Sequence, residues 1–292
     1  MKRLMFGVAA LLSAWACGAE THADGIVERV RANVAKIRAA DPQAVPMAFW
    51  DFDGTIIKGD ISEGLCEDGR VLFKGLVERT IEEGLNTVYP PGGGWAQYRE
   101  RDYPRMNAIG RWLSWPFNAQ MYLGQSAARL DAFCAAECEK VYRKWYFASS
   151  VKMMRALDAL GVENYVVSAS PEVFVRAAAA SLDLPPERFC GIRVEIDGGR
   201  MTTKVVHPVP NGEGKVENVR LFVLARPHGV AVAAFGNSYS TDGAFLRHVA
   251  LQPSLPGGAQ GTAVMINGGK TVPGYTEHFI TVEQRDVMES GH

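Results

Sequence analysis

The chain has 292 residues and 31.8 kDa, enough for one large domain or two ordinary ones, and its 47% hydrophobic, 22% charged and 10% aromatic residues exclude a disordered, collagen-like or repetitive polypeptide. Thirty-one Lys and Arg against thirty-two Asp and Glu leave a formal charge of −1, so there is no global positive field to hold nucleic acid or an anionic membrane. Any anionic ligand must be gripped locally.

Lys2 and Arg3 precede an apolar run from Leu4 to Ala16, and small residues follow, which is the order of a secretory signal. The run is too short to span a bilayer, which needs about 20 apolar residues. A leader over 1–19 is therefore expected, with the mature protein exported to a periplasmic or extracellular compartment. A lipid anchor on Cys17 is the minority reading, because a lipoprotein signal would carry a small residue where Trp15 stands. In an oxidising compartment Cys66, Cys134, Cys138 and Cys190 are free to pair, and four cysteines allow three connectivities. The equal alternative is that all four are small buried hydrophobes. Their spacing does not suggest zinc.

An amphipathic stretch from Gly25 to Ala40 ends at Asp41-Pro42, and the short apolar run Met47 to Trp50 then reads as a buried strand emerging at Asp51. Asn164 to Val167, Val230 to Phe235 and Thr262 to Ile266 repeat the pattern, each followed by polar or Gly-rich residues. Helical patterns at Val151 to Leu160, Pro171 to Leu182 and Glu213 to Ala225 alternate with them. This alternation predicts an α/β fold with a doubly wound, mainly parallel sheet, whose ligands lie outside the carboxyl ends of the strands. Asp197-Gly198-Gly199 predicts a hairpin between Gly191 to Ile196 and Met201 to Val206.

The stretch between the first and second strands is too long for a crossover loop. It is read as an inserted, mostly helical cap over 60–147, with a core of 20–59 and 148–292. Val71 to Leu85 forms one expected amphipathic helix, and Leu130, Phe133, Cys134, Val141 and Trp145 make an apolar stripe on another.

Asp51-Phe52-Asp53-Gly54-Thr55 ends the first strand with two carboxylates two residues apart and a Gly turn, which suits a nucleophile and a general acid/base. Ser168, in Ser168-Ala169-Ser170-Pro171, stands between a strand and a helix. Lys215 opens the helix after Gly212-Glu213-Gly214, and Asp242 closes Gly236-Asn237-Ser238-Tyr239-Ser240-Thr241-Asp242. Taken singly these are a helix cap, a solvated charge and a first-turn acid. The predicted sheet brings all of them to one edge.

This ordered set resembles the haloacid dehalogenase superfamily of phosphatases from Met47 to about Gly269. The resemblance implies that Asp51 attacks phosphorus to form an aspartyl phosphate, and that Asp53 protonates the leaving alkoxide and then activates water. It implies Mg²⁺ held by Asp51, the Asp53 carbonyl, Asn237 and Asp242, with Ser168 and Lys215 on the phosphoryl oxygens and Thr55 and Ala169 in the substrate site. Asn237 departs from the family's Asp and brings no charge to the metal.

A cap at this position is similar to that of phosphoserine phosphatases and of exported bacterial phosphorylcholine phosphatases. Lys58 to Glu63 would form a flap, with Asp60 facing a substrate ammonium group. Trp95, Tyr98, Tyr103, Trp112, Trp115, Phe117 and Tyr122, bordered by Glu82 and Glu83, make either a cation cage or the core of the cap. Arg99, Arg101, Arg105 and Arg111 offer a second anion site instead. The expected activity is hydrolysis of a small phosphomonoester. A phosphoserine phosphatase-like specificity, phosphotransfer to an alcohol and non-catalytic phosphoester binding are the alternatives.

Overall fold

The computed structural model describes the backbone of residues 5–253 and 255–288, with side chains from His22 onward. The expected leader over 1–19 and its Cys17 lie outside the described side chains. The backbone runs through α1 (Met5–Ala40), β1 (Val45–Trp50), β2 (Gly64–Glu67), β3 (Arg70–Lys74), α2 (Leu76–Glu82), α3 (Gly94–Ala96), α4 (Tyr103–Ile109), α5 (Arg111–Gln120) and α6 (Ala127–Glu137). It continues through α7 (Ala148–Ala159), β4 (Glu163–Pro171), α8 (Glu172–Arg176), β5 (Phe189–Ile192), β6 (Val194–Asp197), β7 (Arg200–Val205), α9 (Glu213–Ala225), β8 (Gly229–Gly236), α10 (Gly243–Leu251), β9 (Thr262–Ile266) and β10 (Ile280–Val282).

The main sheet has six parallel strands in the order β10-β9-β8-β1-β4-β5. β1 is central, and an apolar run with no polar face is what a strand covered on both sides requires. Its side chains alternate: Ala48 and Trp50 join the core beneath α1 and α7, while Met47 and Phe49 join the core beneath α9 and α10. Trp50 is fully buried, stacks on Phe235 with ring centroids 3.6 Å apart, and donates its indole N–H to Asn164 Oδ1 at 2.9 Å. Trp50→Phe strands the Asn164 carboxamide oxygen and leaves a void, so the expected loss of stability is about 1–3 kcal/mol, read by urea unfolding.

The predicted strands and α9 sit where the pattern put them. The helix expected over Val71 to Leu85 does not form. β2 and β3 make an antiparallel hairpin there, and only Leu76–Glu82 is helical. Asp68 and Gly69 both adopt positive φ, at 50° and 75°, the geometry an Asp-Gly two-residue hairpin turn demands. Val71, counted as part of the apolar face, is 63% exposed. The helix expected from Pro171 to Leu182 is also shorter, because β4 runs on through Pro171 and the chain after Arg176 tightens into i→i+3 turns at Ala178 and Ala179. The hairpin flanking Gly198-Gly199 forms as β6 and β7, whereas Phe189–Ile192 pairs with β4 as the sheet edge.

The cap leaves and rejoins the core through paired segments. Ile57 bridges Tyr146, Lys58 N–H donates to the Trp145 carbonyl at 2.8 Å, and Phe147 N–H donates to the Ile56 carbonyl at 2.8 Å. Cys66, Cys134, Cys138 and Cys190 are unpaired thiols; Cys134 and Cys138 are buried on one helical face and Cys66 is exposed.

Candidate active site

The carboxyl ends of β1, β4 and β8 and the start of α9 converge on an open cavity of about 510 Å³ walled on one side by residues of the cap. Asp51 lies at its floor. Its Oδ1 accepts from Lys215 Nζ at 2.6 Å and its Oδ2 from Thr55 Oγ1 at 3.3 Å. Lys215 is fully buried and also donates to Asp242 Oδ1 at 2.7 Å, so one ammonium links the first strand to the loop after β8. Asp242 Oδ2 in turn accepts the backbone N–H groups of Asn237 and Ser238, each at 2.9 Å, which folds that loop around the carboxylate.

Asp53 faces a different environment. Its Oδ1 accepts from Ile61 N–H at 2.7 Å, and its Oδ2 accepts from Ser170 Oγ at 2.7 Å and Ser168 Oγ at 3.3 Å. Gly54 between these groups has φ 69°, and a β-carbon there would lie 1.9 Å from Asn237 Nδ2. Only glycine lets the first-strand loop and the Asn237 carboxamide touch.

The charges are strongly perturbed. Burial, then repulsion from Asp242, pushes Asp51 up to about 7 against the opposing pull of Lys215. Burial, followed by the charges of Asp60 and Asp51, holds Asp53 well above the ordinary carboxylate range. Burial works against the Lys215 charge, but Asp242 and Asp51 together outweigh it and its pKa is raised. Burial and Glu63 push Asp60 up to about 6. Four acids line the cavity, Asp51, Asp53, Asp60 and Glu63, against Lys215 and Arg111.

Of the residues expected from the sequence, Asp51, Asp53, Asp60, Ala169, Lys215 and Asn237 line the cavity. Thr55 and Asp242 lie buried just behind it. Ser168 is fully buried and stands behind the rim, where its Oγ accepts Ser170 N–H at 3.1 Å and donates to Asp53. Ser170, which reasoning from sequence passed over, makes the shorter bond to Asp53 and accepts from Ser62 Oγ at 2.9 Å. The alternation Ser168-Ala169-Ser170 on one strand was its available signal, since residues two apart share a face.

The cap contributes differently from expectation. Tyr98 and Tyr122 are core residues, and Trp112 is 72% exposed. Glu82 pairs with Lys74 and Arg79 on α2, away from the cavity lining. The rings that line the cavity are Tyr103 and Trp115, and the acids beside them are Asp60 and Glu63. Arg99 is committed to Glu63 at 2.8 Å and Arg101 to Asp102 at 2.8 Å. Arg111 reaches the cavity, lying 4.9 Å above the Trp115 ring and donating to Ser240 Oγ at 3.2 Å.

The donor chemistry fits a hard cation. Asp51, Asp53, Asp60, Glu63 and the Asn237 carboxamide line the cavity against Lys215 and Arg111, a surplus of oxygen donors over positive charge. Among the described residues no three His, Cys, Asp or Glu side chains form a ready metal cluster, so a cation here would draw on backbone, amide, water and substrate oxygens as Mg²⁺ does.

The haloacid dehalogenase-like hydrolase family model matches residues 48–247, and the chain belongs to that family. A protein with unknown function from Bordetella pertussis Tohama I superposes with TM-score 0.58 at 17% identity, covering 80% of this chain and 93% of that one. A HAD family hydrolase from Salmonella enterica subsp. enterica serovar Typhi gives TM-score 0.50 at 17% identity over 82% of this chain and 68% of that one. A phosphoserine phosphatase in apo form gives TM-score 0.47 at 14% identity, covering 83% and 95%. No curated protein matches by sequence. Membership of that family makes the chain a haloacid dehalogenase-like hydrolase.

Proposed function

We propose that this protein is an exported, Mg²⁺-dependent phosphomonoesterase that works through an aspartyl phosphate on Asp51. The observation that carries the reading is that Asp51 and Asp53, two residues apart, open into one cavity with opposite partners. Asp51 is held by an ammonium, and Asp53 by hydroxyls and an amide in a setting that favours its protonated form. In the first step an Asp51 carboxylate oxygen bonds to phosphorus, the bond from phosphorus to the ester oxygen breaks, and Asp53 gives its proton to that oxygen. In the second, Asp53 takes a proton from water as the water oxygen bonds to phosphorus, and Asp51 leaves with its electron pair to release inorganic phosphate. Lys215 keeps Asp51 aimed into the cavity and places positive charge beside the phosphoryl oxygens.

Asp51, the Asp53 carbonyl and Asn237 would hold the Mg²⁺, with Asp242 ordering the loop behind them. When bound, the ion would neutralise charge on the phosphoryl group. Asn237→Asp adds the missing carboxylate, and the Mg²⁺ concentration for half-maximal activity is expected to fall by about 10- to 100-fold. The same titration read as a rise in Tm checks it without turnover.

Asp60, Glu63, Tyr103 and Trp115 at the cap wall support a substrate with an ammonium group, phosphocholine or a similar amine-bearing phosphomonoester. Arg111 favours a second reading, a substrate that also carries a carboxylate, as phosphoserine does. The test is phosphate release from an aryl phosphate, phosphocholine, phosphoethanolamine, phosphoserine and nucleotides, with and without Mg²⁺. Release from the aryl phosphate and preference for an amine-bearing substrate are expected. Tight phosphocholine binding in chelator without turnover would instead identify a binding protein, and phosphate recovered on an added alcohol would identify a transferase.

A further inference from the structure

The chain beyond β10 returns to the hinge of the cap. Val287 bridges Phe147, Met288 N–H donates to the Tyr146 carbonyl at 2.7 Å, and the Asp286 carbonyl accepts from Ala148 N–H at 2.9 Å. Segment 284–288 thus lies as a further extended strand along the two that join cap to core. It is fastened at both ends. Asp286 caps α7 from a distance, accepting Ser149 N–H on Oδ2 at 2.8 Å and Ser149 Oγ on Oδ1 at 2.9 Å. Gln284 is gripped by Asn267, which accepts its N–H at 2.7 Å and donates to its carbonyl at 3.0 Å.

From Gln284 a buried line of polar groups runs to the nucleophile. The Gln284 carboxamide lies 2.9 Å from Ser150 Oγ, Ser150 Oγ lies 2.7 Å from the Thr55 carbonyl, and Thr55 Oγ1 donates to Asp51 Oδ2. A hydroxyl has one proton. With it on the Thr55 carbonyl, a half-turn of the Gln284 amide brings its amino group to Ser150 Oγ and satisfies both contacts. Gln284 is 5% exposed, and Ser150 and Thr55 are fully buried. Loss of one member would leave the next unpaired rather than hydrated.

We propose that segment 284–288 is a strap that sets the cap hinge, and that Gln284 and Asp286 are positioning residues for the attack by Asp51. The kinetic part rests on the phosphatase reading; the mechanical part does not. The Thr55 carbonyl belongs to the loop that carries Asp51 and Asp53, and Phe147 and Ser149 belong to the segment where the cap returns. Through these contacts the strap fixes the nucleophile loop and the cap pivot together.

The experiment compares full-length wild type with Gln284→Ala, Asp286→Ala, Asp286→Asn and a control, Glu283→Ala, at a residue that is exposed as Asp286 is but makes none of the bonds to Ser149. Aryl phosphate kinetics are taken well below each variant's Tm, alongside hydrogen exchange of peptides covering 55–58 and 145–150. The alanine variants at Gln284 and Asp286 are expected to lose about 10- to 100-fold in kcat with KM little changed, because a small misplacement of a nucleophile is costly. Their hinge amides exchange faster. Asp286→Asn keeps an acceptor for Ser149 and recovers most of the kcat, and Glu283→Ala matches wild type. Wild-type kcat or wild-type hinge exchange in either folded alanine variant overturns the proposal. An inactive wild-type protein whose hinge exchange still responds to the strap would sink the phosphatase reading and leave the strap intact.

Discussion

Asp51→Asn is expected to lower kcat for aryl phosphate hydrolysis by about 10⁴-fold or more while the protein stays folded. The substitution keeps shape and an oxygen that accepts from Lys215, and Lys215 retains its second partner, Asp242. What is lost is the anionic oxygen that bonds to phosphorus in the proposed reaction, and an amide oxygen is a poor substitute nucleophile. Acid quench during turnover should trap phosphate on the wild-type chain and none on the variant. Activity within about tenfold of wild type would move the nucleophile elsewhere.

Lys215→Met is expected to damage both stability and catalysis. The ammonium sits between Asp51 and Asp242 at 2.6 and 2.7 Å with no exposure to solvent. Removing one partner from a buried ionic cluster costs about 3–5 kcal/mol, because the remaining charges keep their desolvation penalty and lose their attraction. Proton uptake by Asp51, whose pKa is already pushed up to about 7, relieves part of that cost and would also silence the proposed nucleophile. A fall in kcat of about 10²- to 10³-fold is expected on top of the stability loss, as for removal of a preorganised charge from a catalytic site. Urea unfolding gives the first quantity and kinetics well below Tm the second. Lys215→Arg should not rescue, since the larger planar guanidinium does not fit a fully enclosed ammonium site. Unchanged stability in Lys215→Met would show that the linkage between β1 and the loop after β8 contributes little.

Together these predictions treat the site as a charge-balance device. Asp51, Asp53 and Asp60 are all raised by burial before any neighbour acts, and one ammonium offsets only part of the negative charge. In the proposed reaction a dianionic phosphoryl group enters this surrounding, and a bound cation would supply the positive charge that one ammonium does not.

The core was legible because its signals are local. A run such as Met47 to Trp50, apolar on both faces, has few alternatives to a central parallel strand, and the polar residues at the ends of β1, β4 and β8 rim the cavity, while those after β9 do not. The cap was less legible for an equally physical reason. Val71 and Leu72 fit a helical period, but the positive φ of Asp68 and Gly69 turned the segment into a hairpin and redirected α2 and its acids. Periodicity counts residues and is blind to which turn precedes them. Of the two readings of the cap's rings, Tyr98 and Tyr122 follow the core reading, while Asp60 and Glu63, three residues apart at the end of the flap, line the cavity with Tyr103 and Trp115.

By itself the sequence determined the parallel α/β core, the family, and the set Asp51, Asp53, Lys215 and Asp242, because strand burial and motif order are written in neighbouring residues. Tertiary structure alone decided that Ser170 rather than Ser168 makes the short bond to Asp53, that Arg111 crosses from cap to core to reach Ser240, and that segment 284–288 clasps the hinge. Each of these contacts joins residues far apart in the chain and in different elements. Its energy depends on distance and burial after folding, which no spacing in the sequence encodes.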